Sequence, residues 1–463
     1  MEKEFSEQRK NLIHELRSKE ILFDIGDNNI FELLVPKTVY PPREDSKLLI
    51  DSINQLNEPS GQALEIGCGS GIISIVLAKK GWHVQAIDVN PYAVISTREN
   101  ALRAGVEKLI SVNEGGLGEK NFEISKDTKL IVWNLPYLSP PQENEQRLEW
   151  IEEASMSDLE GRGWGGQLLR FLESNKENIN PELLILLLQR KYPTSPSKTS
   201  YWAELGWSHR MIESRWLFDE KLEVLAYWSP GLGTAGNILD ECESTMDEIK
   251  KLPLNKWQRL MTKKQTIGRG RRGSTWTSKN NDLLATWSLE KSLINQISPG
   301  LLQVSTGSKI SRILNQYCKW PNDIVDSKGN KIGGVLVEMD SESDNLRIGV
   351  GINQFSDENT DLVITGWKEM APKLELEELF PIIDAELSTL FEKHPLLKNK
   401  IDIKIIRSDS WRSLSKLISR GYSLDKHGVG ARITGLMLDG SLSISSNNCK
   451  KEIQDLDSLK WLF

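Results

Sequence analysis

The sequence predicts an α/β protein in two parts: a first half built on a mostly parallel sheet, and a second half of α+β type that ends in short strands. Three observations predict this. Apolar strand-like and helix-like runs alternate through residues 63–133, the βαβ rhythm of a parallel sheet with right-handed crossovers. A nearly uncharged stretch rich in Gly, Ser and Pro at 229–237 separates that pattern from a second one. The length, 463 residues, exceeds one ordinary core and suggests two to three domains.

The elements follow in order. Residues 63–66 form a short apolar strand running into glycines, and 72–80 follow as a helix. Residues 84–87 are the next strand and 91–104 the next helix, with Pro91 at its start. A third strand, 130–133, runs into Asn134-Leu135-Pro136-Tyr137. The apolar run 183–188 reads as a buried strand, and 222–228 as the strand that closes the half. After the 229–237 linker, Ser244-Thr245 offers a capping signal for a new helix. A softer boundary lies near 400–410. Beyond it short strands alternate with turns, as at Asp439-Gly440.

Composition narrows the class. The apolar fraction is 38%, with 34 glycines besides, and 27% of residues are charged, so the chain can bury a core and is not wholly disordered. No apolar run approaches the ~20 residues of a membrane span, and the polar start MEKEFSEQRK lacks the apolar segment of a signal peptide. The four cysteines form no C-x-x-C pair, which argues neither a disulfide framework nor a zinc site and suits a reducing cytoplasm. Residues 1–230 carry 26 Lys and Arg against 35 Asp and Glu, and the rest 32 against 30. An acidic first half is a poor footprint for gripping long nucleic acid.

In the first half, Leu64-Glu65-Ile66-Gly67-Cys68-Gly69-Ser70-Gly71 ends a strand and opens a helix, and its glycines let backbone approach a ligand. The G-x-G-x-G spacing favours S-adenosylmethionine over NAD. Asp88, at the end of the next strand, is placed to accept both hydroxyls of a ribose. Asn134 and the Leu135 carbonyl, fixed by Pro136, can accept both hydrogens of one NH2 group. That would hold the lone pair of a poor amide or aromatic-amine nucleophile toward an electrophilic methyl, with Tyr137 as a face for a planar group.

These residues, with VYPPREDSKLLI (39–50), AIDVNPYAV (86–94), VWNLPYLSP (132–140), GWGGQLLRFL (163–172) and FDEKLEVLAYW (218–228), carry a resemblance. Residues ~30–228 resemble the release-factor glutamine N5-methyltransferase family, in its archaeal and eukaryotic branch. The resemblance implies that Glu65, Gly67, Gly69 and Gly71 line an S-adenosylmethionine site. Asp88 would hold the ribose, while Asn134, the Leu135 carbonyl, Pro136 and Tyr137 receive the target amide. It also implies a release factor with a Gly-Gly-Gln loop as acceptor, and a small activator subunit as a further partner. Two positions depart from the family pattern: Leu135 stands where a proline is usual, and Gly116-Leu117 where an Asp-Leu pair is usual.

In the second half, Gln265 to Trp276 contains Gly268-Arg269-Gly270-Arg271-Arg272-Gly273, a cationic glycine loop suited to enclosing a triphosphate or acyl-adenylate. Lys319-Trp320-Pro321-Asn322-Asp323 follows, then Lys331-Ile332-Gly333-Gly334, then Gly349-Val350-Gly351-Ile352-Asn353. A strand lysine can stabilise charge on a transferring phosphoryl group, and glycines before strands admit close backbone approach. Together these motifs resemble biotin–protein ligases over ~237–463. The resemblance implies MgATP and biotin as substrates, biotinyl-5′-AMP as the intermediate, and a biotin carboxyl carrier protein domain as acceptor. It places Ser244, Thr245 and Gln265 at biotin, Gly268, Arg269, Gly270, Arg271 and Arg272 in the ordering loop, and Trp276 beside adenine. Arg271, Lys319 and Lys331 would be catalytic, with Asn322, Asp323, Gly334 and Asn353 completing the site and no metal held by the protein. Met246, Ser274 and the 326–330 insertion depart from the family pattern.

The resulting fold class is α/β: a Rossmann-like methyltransferase domain (1–230), an α+β biotin ligase catalytic domain (237–405) and a small SH3-like β-barrel C-terminal domain (410–463). Gly428-Val429-Gly430-Ala431 and the 439–440 turn carry the last match. No winged helix precedes the ligase motifs, so no operator-DNA binding is expected. The residues leave two other readings of the first half open. One is adenine N6 methylation in nucleic acid, and the other is an inactive scaffold domain. A lipoate ligase would carry a Ser-Gly-Gly-Gly signature that the chain lacks.

Overall fold

The structure is a computed structural model. It describes residues 19–26, 29–58, 61–138, 157–252, 257–279, 281–339, 345–357, 363–398, 401–426, 429–446, 449–456 and 460–462. Residues 139–140 and Gly428, part of the resemblances above, lie outside them. The chain forms two compact units, Met1–Gly233 with His394–Lys398, and Thr234–Lys393 with Asn399–Phe463.

The first unit opens with a hairpin, β1 (Lys19–Asp24) and β2 (Ile30–Val35), and helix α1 (Glu44–Asn54). Then come β3 (Gln62–Ile66), α2 (Ile72–Lys79), β4 (His83–Asp88), α3 (Pro91–Arg103), β5 (Ile110–Glu114) and β6 (Thr128–Asn134). After α4 (Gly163–Ser174), β7 (Leu184–Tyr192) and α5 (Thr199–Glu204), the unit closes with β8 (Ser208–Leu217) and β9 (Glu220–Trp228). The expected strands and helices are present within one to four residues at each end. The strands form one seven-stranded sheet, in the order β5-β4-β3-β6-β7-β9-β8. The first five are parallel, and β9 and β8 are added antiparallel.

Burial on both faces explains the uninterrupted apolar run in β7, where Leu184 to Leu188 are each at 0% exposure. Trp82 and Trp133 are likewise core residues. Sheet order reverses at β3, which has β4 on one side and β6 on the other. Ligands of such sheets bind at the carboxyl ends of strands at this switch point. The glycine turn, Asp88 and Asn134 all fall there.

The second unit has β10 (Asn237–Leu239), α6 (Thr245–Glu248), β11 (Gln258–Thr262), a two-stranded hairpin of β12 (Gly268–Arg269) and β13 (Thr275–Trp276), and β14 (Leu283–Glu290). Helix α7 (Pro299–Ile313) follows, its N-terminus capped by Ser298, whose hydroxyl accepts from the Leu301 N–H at 3.1 Å. Next are β15 (Tyr317–Lys319), β16 (Asp323–Val325), β17 (Lys331–Met339), β18 (Asn345–Ile352), α8 (Leu376–Phe391) and α9 (Ile403–Ile418). The main sheet runs β10-β11-β14-β18-β17-β16-β15, antiparallel except at β10/β11. A separate five-stranded antiparallel sheet is built from β19 (Ser423–Lys426), β20 (Val429–Leu436), β21 (Leu442–Ser446), β22 (Cys449–Ile453) and β23 (Lys460–Leu462).

Helix α9 spans the softer boundary near 400–410 and is started by Asp402, whose carboxylate accepts from the Lys404 and Ile405 N–H groups. Two expectations are corrected. The glycines at 333, 334, 349 and 351 lie inside β17 and β18, not before them. Ser244 holds the N-cap position of α6, but its hydroxyl makes no cap bond.

Candidate functional site

Each unit holds a cavity walled by its motif residues. In the first, of about 430 Å³, Thr38 to Pro42, Asp45, Glu65 to Ser70, Asp88, Gly116, Trp133 to Tyr137 and Trp164 are among the walls. The turn after β3 is folded by its glycines: Gly67, Gly69 and Gly71 have φ of +70°, +53° and +81°. The N–H groups of Gly67 and Cys68 both reach the Ile87 carbonyl, at 2.8 and 3.0 Å. Asp88 Oδ2 accepts from the Gly69 N–H at 2.9 Å, and Oδ1 from the Asn90 N–H at 2.9 Å, which locks the carboxylate at the cavity edge. Glu65 is buried and accepts from the Ser74 hydroxyl. Burial pushes its pKa up to about 8, with Asp88 adding to the rise.

Of the expected cofactor residues, Gly71 alone is off the cavity wall. It packs against α3, where a Cβ would sit 2.7 Å from Thr97 Cγ2. With a positive φ as well, Gly71→Ala is expected to lower stability by about 1–3 kcal/mol, read as a fall in the thermal midpoint. An unchanged midpoint would show that the turn relaxes freely.

Asn134 ends β6. Its Nδ2 donates to Asp45 Oδ2 at 3.0 Å, and its Oδ1 is buried without a hydrogen-bond partner among the described residues. Asp45 is a site residue that the sequence reading does not single out. It lies in the VYPPREDS stretch, 89 positions from Asn134, and no spacing rule connects the two. The Leu135 N–H, absent from a proline, is satisfied by the Leu188 carbonyl at 3.2 Å, and the Leu135 side chain is fully buried. Tyr137 is buried, which drives its pKa well above the usual tyrosine range, so the phenol stays neutral. At Gly116 a Cβ would lie 2.6 Å from Val89 Cγ1, so Val89 fills the space an acidic side chain would enter.

The second cavity, about 330 Å³, is walled by Ser244, Thr245, Gln265, Arg269 to Arg271, Trp276, Asn322, Asp323, Lys331, Gly334 and Gly351, among others. Gln265 Oε1 accepts from the Thr245 N–H (2.9 Å) and hydroxyl (3.1 Å), so its amide is fixed. The Ser244 hydroxyl and Trp276 Nε1 are buried without a partner among the described residues. Asp323 joins two lysines: Lys331 Nζ is 2.8 Å from Oδ1 and Lys319 Nζ 3.9 Å from Oδ2. Burial lowers the Lys319 pKa, Asp323 opposes the shift and Lys331 adds to it.

Four expected site residues lie off this wall. Gly268 pairs with Trp276 in the β12–β13 hairpin. Lys319 sits behind Asp323. Asn353 bonds the first two carbonyls of β17, its N–H to Ile332 and its Nδ2 to Lys331. Arg272 bonds Asp455 at 2.8 Å, as does Arg271 at 2.7 Å, while Arg269 pairs with Asp247 at 3.1 Å. The cationic loop is thus charge-compensated by carboxylates from outside it. Met246 packs on Gly349, whose Cβ position is 2.8 Å from the sulfur. The 326–330 insertion is a closed turn in which Asp326 Oδ1 accepts from the Lys328 and Asn330 N–H groups.

Two family models match the chain, one in each half. The ribosomal protein L11 methyltransferase model matches residues 44–135, and the biotin/lipoate A/B protein ligase model matches residues 241–353. A putative protein N5-glutamine methyltransferase of Methanocaldococcus jannaschii is 38% identical over 126 residues, 27% of this chain and 59% of that protein. A bifunctional ligase/repressor of Bacillus spizizenii is 29% identical over 136 residues, 27% of this chain and 42% of that protein. Biotin protein ligase from Aquifex aeolicus, solved with biotin and ATP, is 24% identical, aligning over 49% of this chain and 98% of its own with a TM-score of 0.38. The chain spans about half the length of these curated relatives. The first half is methyltransferase-like and the second biotin-ligase-like over the matched segments. The methyltransferase model ends at Leu135, inside the Asn134–Tyr137 run, and so covers the glycine turn and Asp88 but only the start of the acceptor pocket.

Proposed function

We propose that the chain is a bifunctional protein-modifying enzyme. Its first half would methylate a protein glutamine with S-adenosylmethionine. Its second would join biotin to a carrier-domain lysine at the expense of ATP. One observation supports both readings: in each cavity, motif residues carry buried polar atoms that have no partner among the described residues, namely Asn134 Oδ1, the Ser244 hydroxyl and Trp276 Nε1. Such atoms are costly unless a ligand satisfies them. The proposed acceptors are a release factor with a Gly-Gly-Gln loop and a biotin carboxyl carrier protein domain, in the cytoplasm, with a small activator subunit as a further partner of the first half. The proposed division is 1–230, 237–405 and 410–463, the last an SH3-like domain, with α9 carrying the chain across the second boundary.

In the first site the glycine turn fits S-adenosylmethionine, since backbone there has no side chain to exclude it. When bound, the cofactor supplies an electrophilic methyl group. Asn134 Oδ1 and the Leu135 carbonyl orient the acceptor NH2. Asn134 Oδ1, accepting from the acceptor N–H, would hold the nitrogen as it takes the methyl group and gives up one proton to solvent. Tyr137 and Trp133 exclude water. Glu65 adds a measurable signature. Its folded pKa lies above the ordinary 4.5, so at pH 7 it is protonated before binding. A sulfonium or ammonium placed beside it favours the anion. Cofactor binding at pH 7 should therefore release protons, and above about pH 9, beyond the raised pKa, the release should vanish. Titration calorimetry in buffers of different ionisation enthalpy reads this directly. Zero release at pH 7 would put Glu65 away from the bound charge.

In the second site, the biotin carboxylate would attack the α-phosphorus of MgATP and expel pyrophosphate. The carrier lysine would then attack the acyl carbon, losing a proton as AMP departs. Lys331, Lys319 and the loop arginines carry the positive charge that these steps need. Trp276 stands against Gly351, where a Cβ would lie 2.7 Å from the indole. Biotin-dependent exchange of labelled pyrophosphate into ATP tests this half. Gly351→Ala, by pushing Trp276 out of place, is expected to weaken ATP about 10-fold or more. Exchange that proceeds without biotin, or not at all, would count against the reading.

A further inference from the structure

Asn134 is anchored on one side only. Its Nδ2 donates to Asp45 Oδ2 at 3.0 Å, and its Oδ1 has no partner among the described residues. Asp45 is itself nearly inaccessible, at 3% exposure, and is held by its neighbour: Oδ1 accepts from the Ser46 N–H at 2.6 Å and from the Ser46 hydroxyl at 3.3 Å. Ser46 in turn accepts from the Arg43 N–H at 3.4 Å across the first turn of α1. Asp45 and Asn134 both line the first cavity. An ionised carboxylate can only accept. It therefore tolerates Nδ2 of an asparagine and repels Oδ1, so the amide has a single allowed orientation.

We propose that Asp45 is a positioning residue that forbids the flip of the Asn134 amide. Oδ1 is then the atom turned to the acceptor, and the site is restricted to groups that bring an N–H. This rests on, and deepens, the amide-methylation reading. Without Asp45, Asn134 would present NH2 and C=O by turns. A substrate amide would meet a donor as often as an acceptor, and its lone pair would lose its aim at the methyl group. Asp45 also polarises Asn134, making Oδ1 a stronger acceptor as positive charge builds on the attacking nitrogen.

The test uses full-length protein carrying 15N-labelled asparagine, with the Asn134 side-chain resonance identified by its loss in N134S. Asp45→Asn is isosteric but can turn either end of its amide to Asn134; Asp45→Ala removes the anchor. Both should speed hydrogen exchange of the Asn134 NH2 and lower kcat by roughly 10-fold or more, the value of one charged hydrogen bond. The Kd for S-adenosylmethionine should stay within about twofold, because the cofactor is held by the glycine turn and Asp88. Unchanged exchange in Asp45→Asn overturns the proposal. So does faster exchange with kcat intact, or an equal loss of cofactor affinity, which would mark a merely structural role. The exchange measurement needs no acceptor. If the wild-type protein methylates no amide, the functional reading fails, while the fixed orientation of Asn134 is still decided.

Discussion

Asn134→Ala is expected to lower methyl transfer by about 10²–10³-fold, the usual cost of removing one preorganised polar group aimed at a reacting centre. Cofactor binding should hardly change. Asn134 stands at the end of β6, across the sheet switch point from the turn at Gly67–Gly71, and Asp88 keeps its two backbone donors whether or not residue 134 has a side chain. The alanine also leaves Asp45 facing an empty space. Some of the loss will therefore appear as a small fall in stability, which thermal unfolding separates from the kinetic effect. A loss of transfer below threefold, with binding intact, would mean that the Leu135 carbonyl alone orients the acceptor.

Asp384→Ala is expected to be the most destabilising single change in the second unit. Asp384, on α8, receives Arg259 Nε of β11 at 2.7 Å through Oδ2, and the indole N–H groups of Trp257 and Trp287 at 3.0 and 2.8 Å through Oδ1. Both charged side chains are almost wholly buried, at 5% and 7% exposure. Removing the carboxylate leaves the buried guanidinium without this counter-charge, bonded to the neutral Thr234 side chain and the Thr234 and Trp257 carbonyls, and takes the acceptor from two indoles, a cost of about 3–5 kcal/mol. For a unit of this size that lowers its thermal midpoint by roughly 10 °C. Calorimetry of the full chain should show one transition moving and the other staying. A shift under about 2 °C would indicate that water reaches Arg259 and replaces the lost partner.

Much of this architecture is legible in the sequence, for identifiable reasons. Strands β3, β4 and β6 are apolar runs of the right length, ended by a glycine, an acid and an asparagine, and β7 is an unbroken apolar run, so local pattern suffices. The cationic loop and the Lys319–Asp323 run are dense, unusual clusters. What the sequence hides is pairing at a distance. Asp384 sits inside LEELFPIIDAEL and Arg259 inside QRLMT, and nothing local joins them across 125 positions. Asp45 and Asn134 are hidden in the same way. So is the compensation of Arg271 and Arg272 by Asp455, which makes a loop that reads as free positive charge a paired one. The helix over 403–418 was obscured because its start, IDIKIIRSDS, mixes β-branched and polar residues, and only the Asp402 cap marks it.

The central claim is that one chain carries two working modification sites. The most direct test is transfer of labelled methyl from S-adenosylmethionine by the full-length protein. The acceptor is a release factor with a Gly-Gly-Gln loop, compared with its Gln→Ala variant, with and without an activator subunit, while biotin incorporation into a carrier domain is followed in the same preparation. The account predicts methyl label on the wild-type factor and none on the variant, with biotin on the carrier. Biotin on the carrier and no methyl label on the factor under any condition would contradict it, leaving the first half a scaffold or an enzyme for another acceptor.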